Sequence, residues 1–187
     1  AAWAFSGELT TPAPVFTDQH LSLISHYGYD AIWLGWYPGS EANSEPPTRT
    51  MPGRTPVGTS YRPFTSRLRD LAERAEKYDL QIVILYLAPH PADETRRRAM
   101  AEDAKRFLVE VPEVKTIVLL DEAMGSTRKG VEAWVDTCNL LTKAFYETRR
   151  NIDVVAWAYT RQSNAPDQQG WSERLGKFAS LDPRMAF

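Results

Sequence analysis

Two patterns of apolar residues alternate along this chain. Short runs rich in β-branched and aromatic residues predict five strands, at residues 2–5, 31–36, 81–87, 116–120 and 153–159. Four of the five are apolar almost throughout, which is typical of parallel strands that are covered on both faces. Longer amphipathic stretches separate the later strands, so the pattern predicts βα units around a parallel sheet.

Three of the predicted helices each carry one apolar stripe. The stripes are Leu68, Leu71, Ala72, Ala75 and Tyr78 in one helix, Met100, Ala104, Phe107, Leu108 and Val111 in the next, and Val131, Trp134, Val135, Cys138, Leu141 and Phe145 in the last. Another helix, containing His20 and His26, precedes the second strand. Cys138 is the one cysteine of the chain, and its apolar neighbours predict a buried helical thiol.

Two architectures fit alternating strands and helices in a single domain over residues 1–187. One is a partial or incomplete (β/α)8 barrel (a TIM barrel), because a full barrel takes about 250 residues. The other is an open, flavodoxin-like sheet, which predicts a strand order with a switch point. We expect the incomplete barrel, shorter than a full barrel or a fragment of one, and its exposed strand edges predict a homodimer.

Ligands of both architectures bind beyond the carboxyl ends of the strands. In this sequence, polar and aromatic residues collect at those ends. The candidates for a site are Glu8, Trp36, Tyr37, His90, Asp121, Glu122, Tyr159 and Arg161. Trp36, Tyr37 and Tyr159 suit stacking on a sugar ring, whereas Trp33 and Trp157 lie within apolar runs and are predicted to belong to the core.

Asp121 and Glu122 follow the buried run "TIVLL" directly. Carboxylates that are partly desolvated and close together acquire different pKa values, so one acid and one base can coexist near neutral pH. Since successive strand residues point to opposite faces, both can line one pocket only if the chain bends after the strand. The alternative is structural: the pair caps the next helix or meets a neighbouring arginine.

Composition excludes several classes of function. A formal net charge of −2, with basic residues spread along the chain, gives no footprint for nucleic acid. The longest apolar runs fall far short of the roughly 20 residues of a membrane span. The three histidines are scattered, and "GSTRKG" (residues 125–130) lacks the spacing of a phosphate cradle, so neither a metal nor another cofactor is predicted. No compartment is indicated.

Three segments together resemble the N-terminal part of TIM-barrel glycoside hydrolases: "HLSLISHYGYDAIWLGWYP", "RLRDLAERAEKYDLQIVILYLAPHP" and "FLVEVPEVKTIVLLDEA". The resemblance is greatest to the hexosaminidase-like groups, in which an Asp-Glu pair ends the fourth strand. It implies that Glu122 is the general acid/base. It also implies that Asp121 orients a substrate acetamido group, which acts as the internal nucleophile.

The expected function is therefore hydrolysis of a carbohydrate substrate, with Glu122 as acid/base. In a conventional glycosidase a second carboxyl group lies about 5 to 9.5 Å away, and Glu8 is the main candidate at another strand end. A non-catalytic module for carbohydrate binding or assembly is the alternative function, and an unrelated small ligand goes with the flavodoxin-like sheet.

Overall fold

The computed structural model describes residues 2–5, 16–36, 61–87, 94–121, 128–158 and 176–186. Strands and helices alternate through these ranges. In chain order they are β1 (Ala2–Phe5), α1 (Asp18–His26), β2 (Ala31–Trp36), α2 (Tyr61–Glu76), β3 (Gln81–Leu87), α3 (Glu94–Glu110), β4 (Thr116–Asp121), α4 (Arg128–Thr148) and β5 (Asp153–Ala158).

The five strands form one parallel sheet in the order β1-β2-β3-β4-β5. Sequential order without a switch point contradicts the flavodoxin-like alternative and is the order of a barrel. The predicted bounds of β1, β2 and β3 are confirmed, and β4 runs one residue further, to Asp121. β5 ends at Ala158, and Tyr159 lies outside the described residues.

Local signals set both ends of α1. Thr17 precedes the helix and accepts a hydrogen bond from the backbone N–H of His20 (3.2 Å), while Nδ1 of His20 accepts one from the N–H of Thr17 (3.3 Å). Gly28 ends the helix with a φ of 80°, a conformation that glycine adopts at little cost. These two caps fix where α1 begins and ends, and the chain continues from Gly28 into β2.

The main core lies between one face of the sheet and the helices. All three predicted apolar stripes are buried there except for Tyr78, which is partly buried against the same core. Strand residues alternate into this core, with Ile117 and Leu119 of β4 packed on the helix side. The buried thiol of Cys138 is confirmed as well.

The other face of the sheet is concave. Trp33 of β2 and Trp157 of β5 meet edge to face across it, with ring centroids 5.5 Å apart. The two strands are three strand spacings apart, or about 14 Å on a flat sheet, so the contact shows that the sheet curves. The expectation that both tryptophans belong to the core is wrong for Trp157, which is 37% exposed.

The segment 176–186 packs against α4 and reaches the outer edge of β5. Phe178 contacts Trp134 edge to face at 5.5 Å, and the side chain of Asn139 bonds the backbone at Ser180 and Asp182. Ala186 then pairs in parallel with β5: its N–H donates to the carbonyl of Val154 (3.0 Å), and its carbonyl accepts from Ala156 (2.9 Å). Ala186 therefore occupies the position of a sixth strand.

The same substitution, valine to alanine, at positions 109 and 111 tests the assigned burial of this stretch. Val111 is fully buried, whereas Val109 in the same stretch is 70% exposed. Val111→Ala should lower the free energy of unfolding by about 2–3 kcal/mol, since it removes buried methyl groups and leaves a cavity. Val109→Ala should change it by less than about 0.5 kcal/mol. Urea denaturation measures both, and equal effects would contradict the assigned core.

Asp182 makes the attachment of segment 176–186 sensitive to acid. Its carboxylate accepts a hydrogen bond from Nε of Arg184 (2.8 Å), and this interaction lowers the pKa of Asp182. A lowered native pKa gives stability that is complete above the unfolded-state value of about 4 and is lost as the pH falls through the native value. Below pH 4, the protection factor of the Ala186 amide, which corrects for the slower intrinsic exchange in acid, should therefore fall. In Asp182→Asn this step should vanish, and an unchanged pH profile would refute the assignment.

Candidate functional site

The register of the strands brings the ends of β1 to β4 to one level. Phe5 pairs with Gly35, Trp36 with Tyr86, and Leu87 with Leu120, so each strand from β1 to β4 ends one residue further along than its neighbour. In a barrel with strands tilted by about 36°, a neighbouring strand is displaced along the axis by roughly 2.8 Å. One additional residue on a strand with this tilt advances the chain by about 2.7 Å along the axis, which compensates for the displacement. The four ends therefore form a level rim.

Two of the predicted site residues lie on this rim. Trp36 is the last residue of β2, and Asp121 is the last residue of β4, where it pairs with Ala158 at the end of β5. Trp36 and Asp121 lie on strands separated by β3 alone. The sequence thus predicted correctly that these two positions share one edge of the sheet.

The remaining predicted site residues lie outside the described residues: Glu8, Tyr37, His90, Glu122, Tyr159 and Arg161. Glu122 follows the last residue of β4 directly, and Tyr159 follows the last residue of β5. Their roles stay predictions.

The concave face leads up to the rim and is lined by apolar residues. Val83, Leu85 and Val118 are buried in its centre, with Trp33 and Val155 packed around them. Trp157 is paired with Leu120, one residue below Asp121 and Ala158. An exposed indole therefore lies one residue below the rim. The sequence pattern did not predict this exposure, because a strand that is apolar throughout does not indicate which of its faces is accessible to solvent.

The opposite end of β4 is fixed by a half-buried arginine. The guanidinium of Arg149, just after α4, donates hydrogen bonds to the carbonyl oxygens of Pro112 and Val114 in the turn before the strand. Burial lowers the pKa of Arg149, and the nearby carboxylate of Glu113 acts in the other direction. Because both ends of the turn are held by one side chain, β4 enters the sheet in a defined register, which sets the height of Asp121.

A cavity of about 270 Å³ opens at the amino-terminal side of the sheet, away from the rim. Its lining includes Glu76, Asp79, Gln81, Glu113 and Lys115, which precede or begin β3 and β4. Glu113 is held there by Arg69 (3.3 Å). The amino-terminal face of a barrel serves stability rather than catalysis, so we assign the candidate site to the rim.

The described residues give no sign of a metal centre or a membrane span. Within them, no three His, Cys, Asp or Glu side chains are grouped so as to hold a metal ion. Among the helices that the structure describes, none has the length and apolarity needed to cross a bilayer.

No protein-family description matches the chain, and no curated protein matches it significantly.

Comparison by structure finds many similar folds at low identity. An endocellulase from Pyrococcus horikoshii, solved with cellotetraose, has a TM-score of 0.53 and 14% identity, over 91% of this chain and 54% of its own. An endo-β-1,4-mannanase from Thermotoga petrophila has a TM-score of 0.58 and 12% identity, over 97% and 50%. A sugar phosphate isomerase/epimerase from Parabacteroides distasonis has a TM-score of 0.57 and 11% identity, over 100% and 63%.

These likenesses establish the fold alone. The chain spans between half and two thirds of each of the three structures, and they include both glycoside hydrolases and an isomerase. The strand order, the curvature and the level rim agree with them. The chain has the fold of an incomplete (β/α)8 barrel.

Proposed function

We propose that the chain carries the acid/base part of a glycoside hydrolase site, with Glu122 as the general acid/base and Asp121 as its partner. The observation that carries the proposal is the position of Asp121 at the end of β4, on the rim where barrels bind substrates. The fold is shared with isomerases, so the reaction type rests on the carboxylate pair and on the resemblance of the sequence to glycosidases.

Alternation along β4 favours Glu122 as the residue that acts on the substrate. Val118 packs on the concave face, while Ile117 and Leu119 pack on the helix side. Position 122 has the same parity as Val118, so one more residue of regular strand would direct Glu122 to the concave side. Asp121 has the opposite parity, so both carboxylates can face one substrate only if the chain bends at the end of β4.

The proposed chemistry needs one acid and a nucleophile that the substrate supplies. Protonated Glu122 donates its proton to the glycosidic oxygen as the bond to the anomeric carbon breaks. The acetamido carbonyl oxygen of the same sugar attacks that carbon, while Asp121 orients the amide and balances its developing positive charge. Water then adds at the anomeric carbon and gives its proton to Glu122, which restores both groups.

The substrate class follows from two supports. The resemblance of the sequence to hexosaminidase-like enzymes favours an N-acetylhexosaminide. Proteins of similar fold include an endocellulase and an endo-β-1,4-mannanase, which favours β-1,4-linked hexosides. With a plain hexoside a second carboxyl group is required about 5 to 9.5 Å from Glu122, and our candidate is Glu8, three residues after the last residue of β1.

Carbohydrate binding without turnover is the second candidate function. Trp157 is 37% exposed below the rim, and indole faces stack on sugar rings. The chain also spans about half of the hydrolases that it resembles. A module of this kind would bind an oligosaccharide and leave it intact, with affinity lost in Trp36→Ala.

Glu122→Gln tests the acid/base role. Its kcat/KM on a panel of chromogenic glycosides, N-acetylhexosaminides included, should fall about 10²- to 10⁴-fold because proton transfer to the leaving group is lost. Glu73→Gln is the matched control, since Glu73 is an exposed carboxylate on α2 with no place on the rim, and it should retain full activity. Circular dichroism checks that both variants fold.

Either of two results would count against the catalytic proposal. One is undiminished turnover in folded Glu122→Gln. The other is oligosaccharide binding by the wild-type chain, seen by calorimetry, with no turnover of any glycoside in the panel. The second result would favour the binding module.

Asp121→Asn separates the two substrate classes. If Asp121 orients an acetamido nucleophile, the variant should lose about 10²-fold or more in kcat/KM on N-acetylglucosaminides while plain glucosides and mannosides change much less. Parallel assays on substrates that share one leaving group measure the ratio. Equal losses on both classes would contradict the substrate-assisted mechanism and leave the two-carboxylate scheme.

A further inference from the structure

The two outer edges of the sheet differ in how they are covered. At β5 the outer edge is paired with Ala186 through two backbone hydrogen bonds. At the other end, β1 has β2 as its one neighbour among the described strands. Its sequence, "AWAF", contains no charge and no proline, which are the usual devices that stop an edge strand from pairing with another chain.

An apolar flank of α1 lies on the same side as this edge. The first turn of α1 is tied to α2, because Asp18 and the carbonyl of Phe16 bind the guanidinium of Arg74 at 3.0 and 2.7 Å. At about 100° per residue, Tyr27 is about 180° and Leu23 about 140° around the helix from Asp18. These two side chains, 73% and 43% exposed, therefore lie on the flank that faces away from α2, beyond β1.

We infer that this surface binds a second copy of the chain, with β1 pairing antiparallel to β1 of the partner about a two-fold axis. The two sheets then form one continuous sheet, and the two α1 helices lie side by side across the axis. The inference is independent of the proposed hydrolase activity.

Charge favours this arrangement. His20, Leu23 and Tyr27 share the exposed flank of α1, which carries no Asp, Glu, Lys or Arg, so no like charges meet across the axis. The two-fold sets the two α1 helices antiparallel. The positive end of each helix dipole then lies beside the negative end of the other.

The coverage of the edges also decides the size of the assembly. A subunit with two open edges would build an open filament, whereas one self-complementary edge closes as a dimer. Ala186 occupies part of the outer edge of β5, so among the described strands β1 has the freer edge for pairing.

The area available predicts a weak dimer. Leu23 and Tyr27 expose on the order of 200 Å² per copy, taking about 200 Å² for a whole tyrosine. A specific interface needs about 500 Å² or more per copy, and the paired strands and His20 provide the remainder. Interfaces near this lower limit belong to weak, transient complexes, so the dimer should form only at high protein concentration.

Sedimentation velocity at about 5 to 500 µM tests the inference on the 187-residue chain. The mass should rise from 21.2 kDa to twice that value and stop there. Tyr27→Glu should raise the Kd at least tenfold, since it replaces an apolar contact with a carboxylate that loses its hydration in the interface. Val109→Glu is the matched control: Val109 is 70% exposed but lies on α3, away from β1, so its Kd should be unchanged.

Hydrogen exchange locates the interface independently. The amides of residues 2–5 should be more protected at high concentration, and Tyr27→Glu should remove that difference. Three results would overturn the inference: a monomer at the highest concentration, a mass that keeps rising past the dimer, or equal weakening by Tyr27→Glu and Val109→Glu. Circular dichroism of each variant confirms that a loss of dimer is not a loss of fold.

Discussion

The parallel hydrogen-bond register of the five strands is the constraint on which the rest of this structure depends. Each strand from β1 to β4 is one residue ahead of its neighbour at the end, and this offset compensates for the tilt of a curved sheet. The same curvature brings Trp33 and Trp157 into contact across the concave face. The strand register therefore determines both the common level of the strand ends at the rim and the curvature of the concave face.

Contacts at the amino-terminal side of the sheet hold this register. Arg149 pins the turn before β4 at the amino-terminal end of the sheet, and the capping of α1 by Thr17 and Gly28 directs the chain into β2. The rim at the other end carries Trp36 and Asp121. This division, with stability at one end and candidate chemistry at the other, is that of a (β/α)8 barrel, although the chain supplies only part of one.

Most of the fold could be predicted because buried parallel strands and amphipathic helices leave strong periodic signals. The limits of β1 to β3 and the three apolar stripes follow directly from them. Trp157 shows where the signal fails: an apolar strand predicts burial on both faces, and its period carries no information about which face stays open. The pairing of Ala186 with β5 could not be predicted either, because a single paired residue produces no periodic pattern in the sequence. For the site, the predicted strand ends correctly placed Trp36 and Asp121 at one edge of the sheet. The positions of side chains that follow the strands depend on loop conformation, and apolar patterns do not encode loop conformation.

A spin label at position 122 can show whether Glu122 faces the concave side of the sheet, as we propose. A nitroxide attached at Glu122→Cys leaves buried Cys138 unlabelled, and it broadens nearby indole resonances in the NMR spectrum. We expect stronger broadening for Trp33 and Trp157 on the concave face than for Trp134 in the helix layer. Stronger broadening of Trp134 would place residue 122 on the helix side and contradict the proposed site.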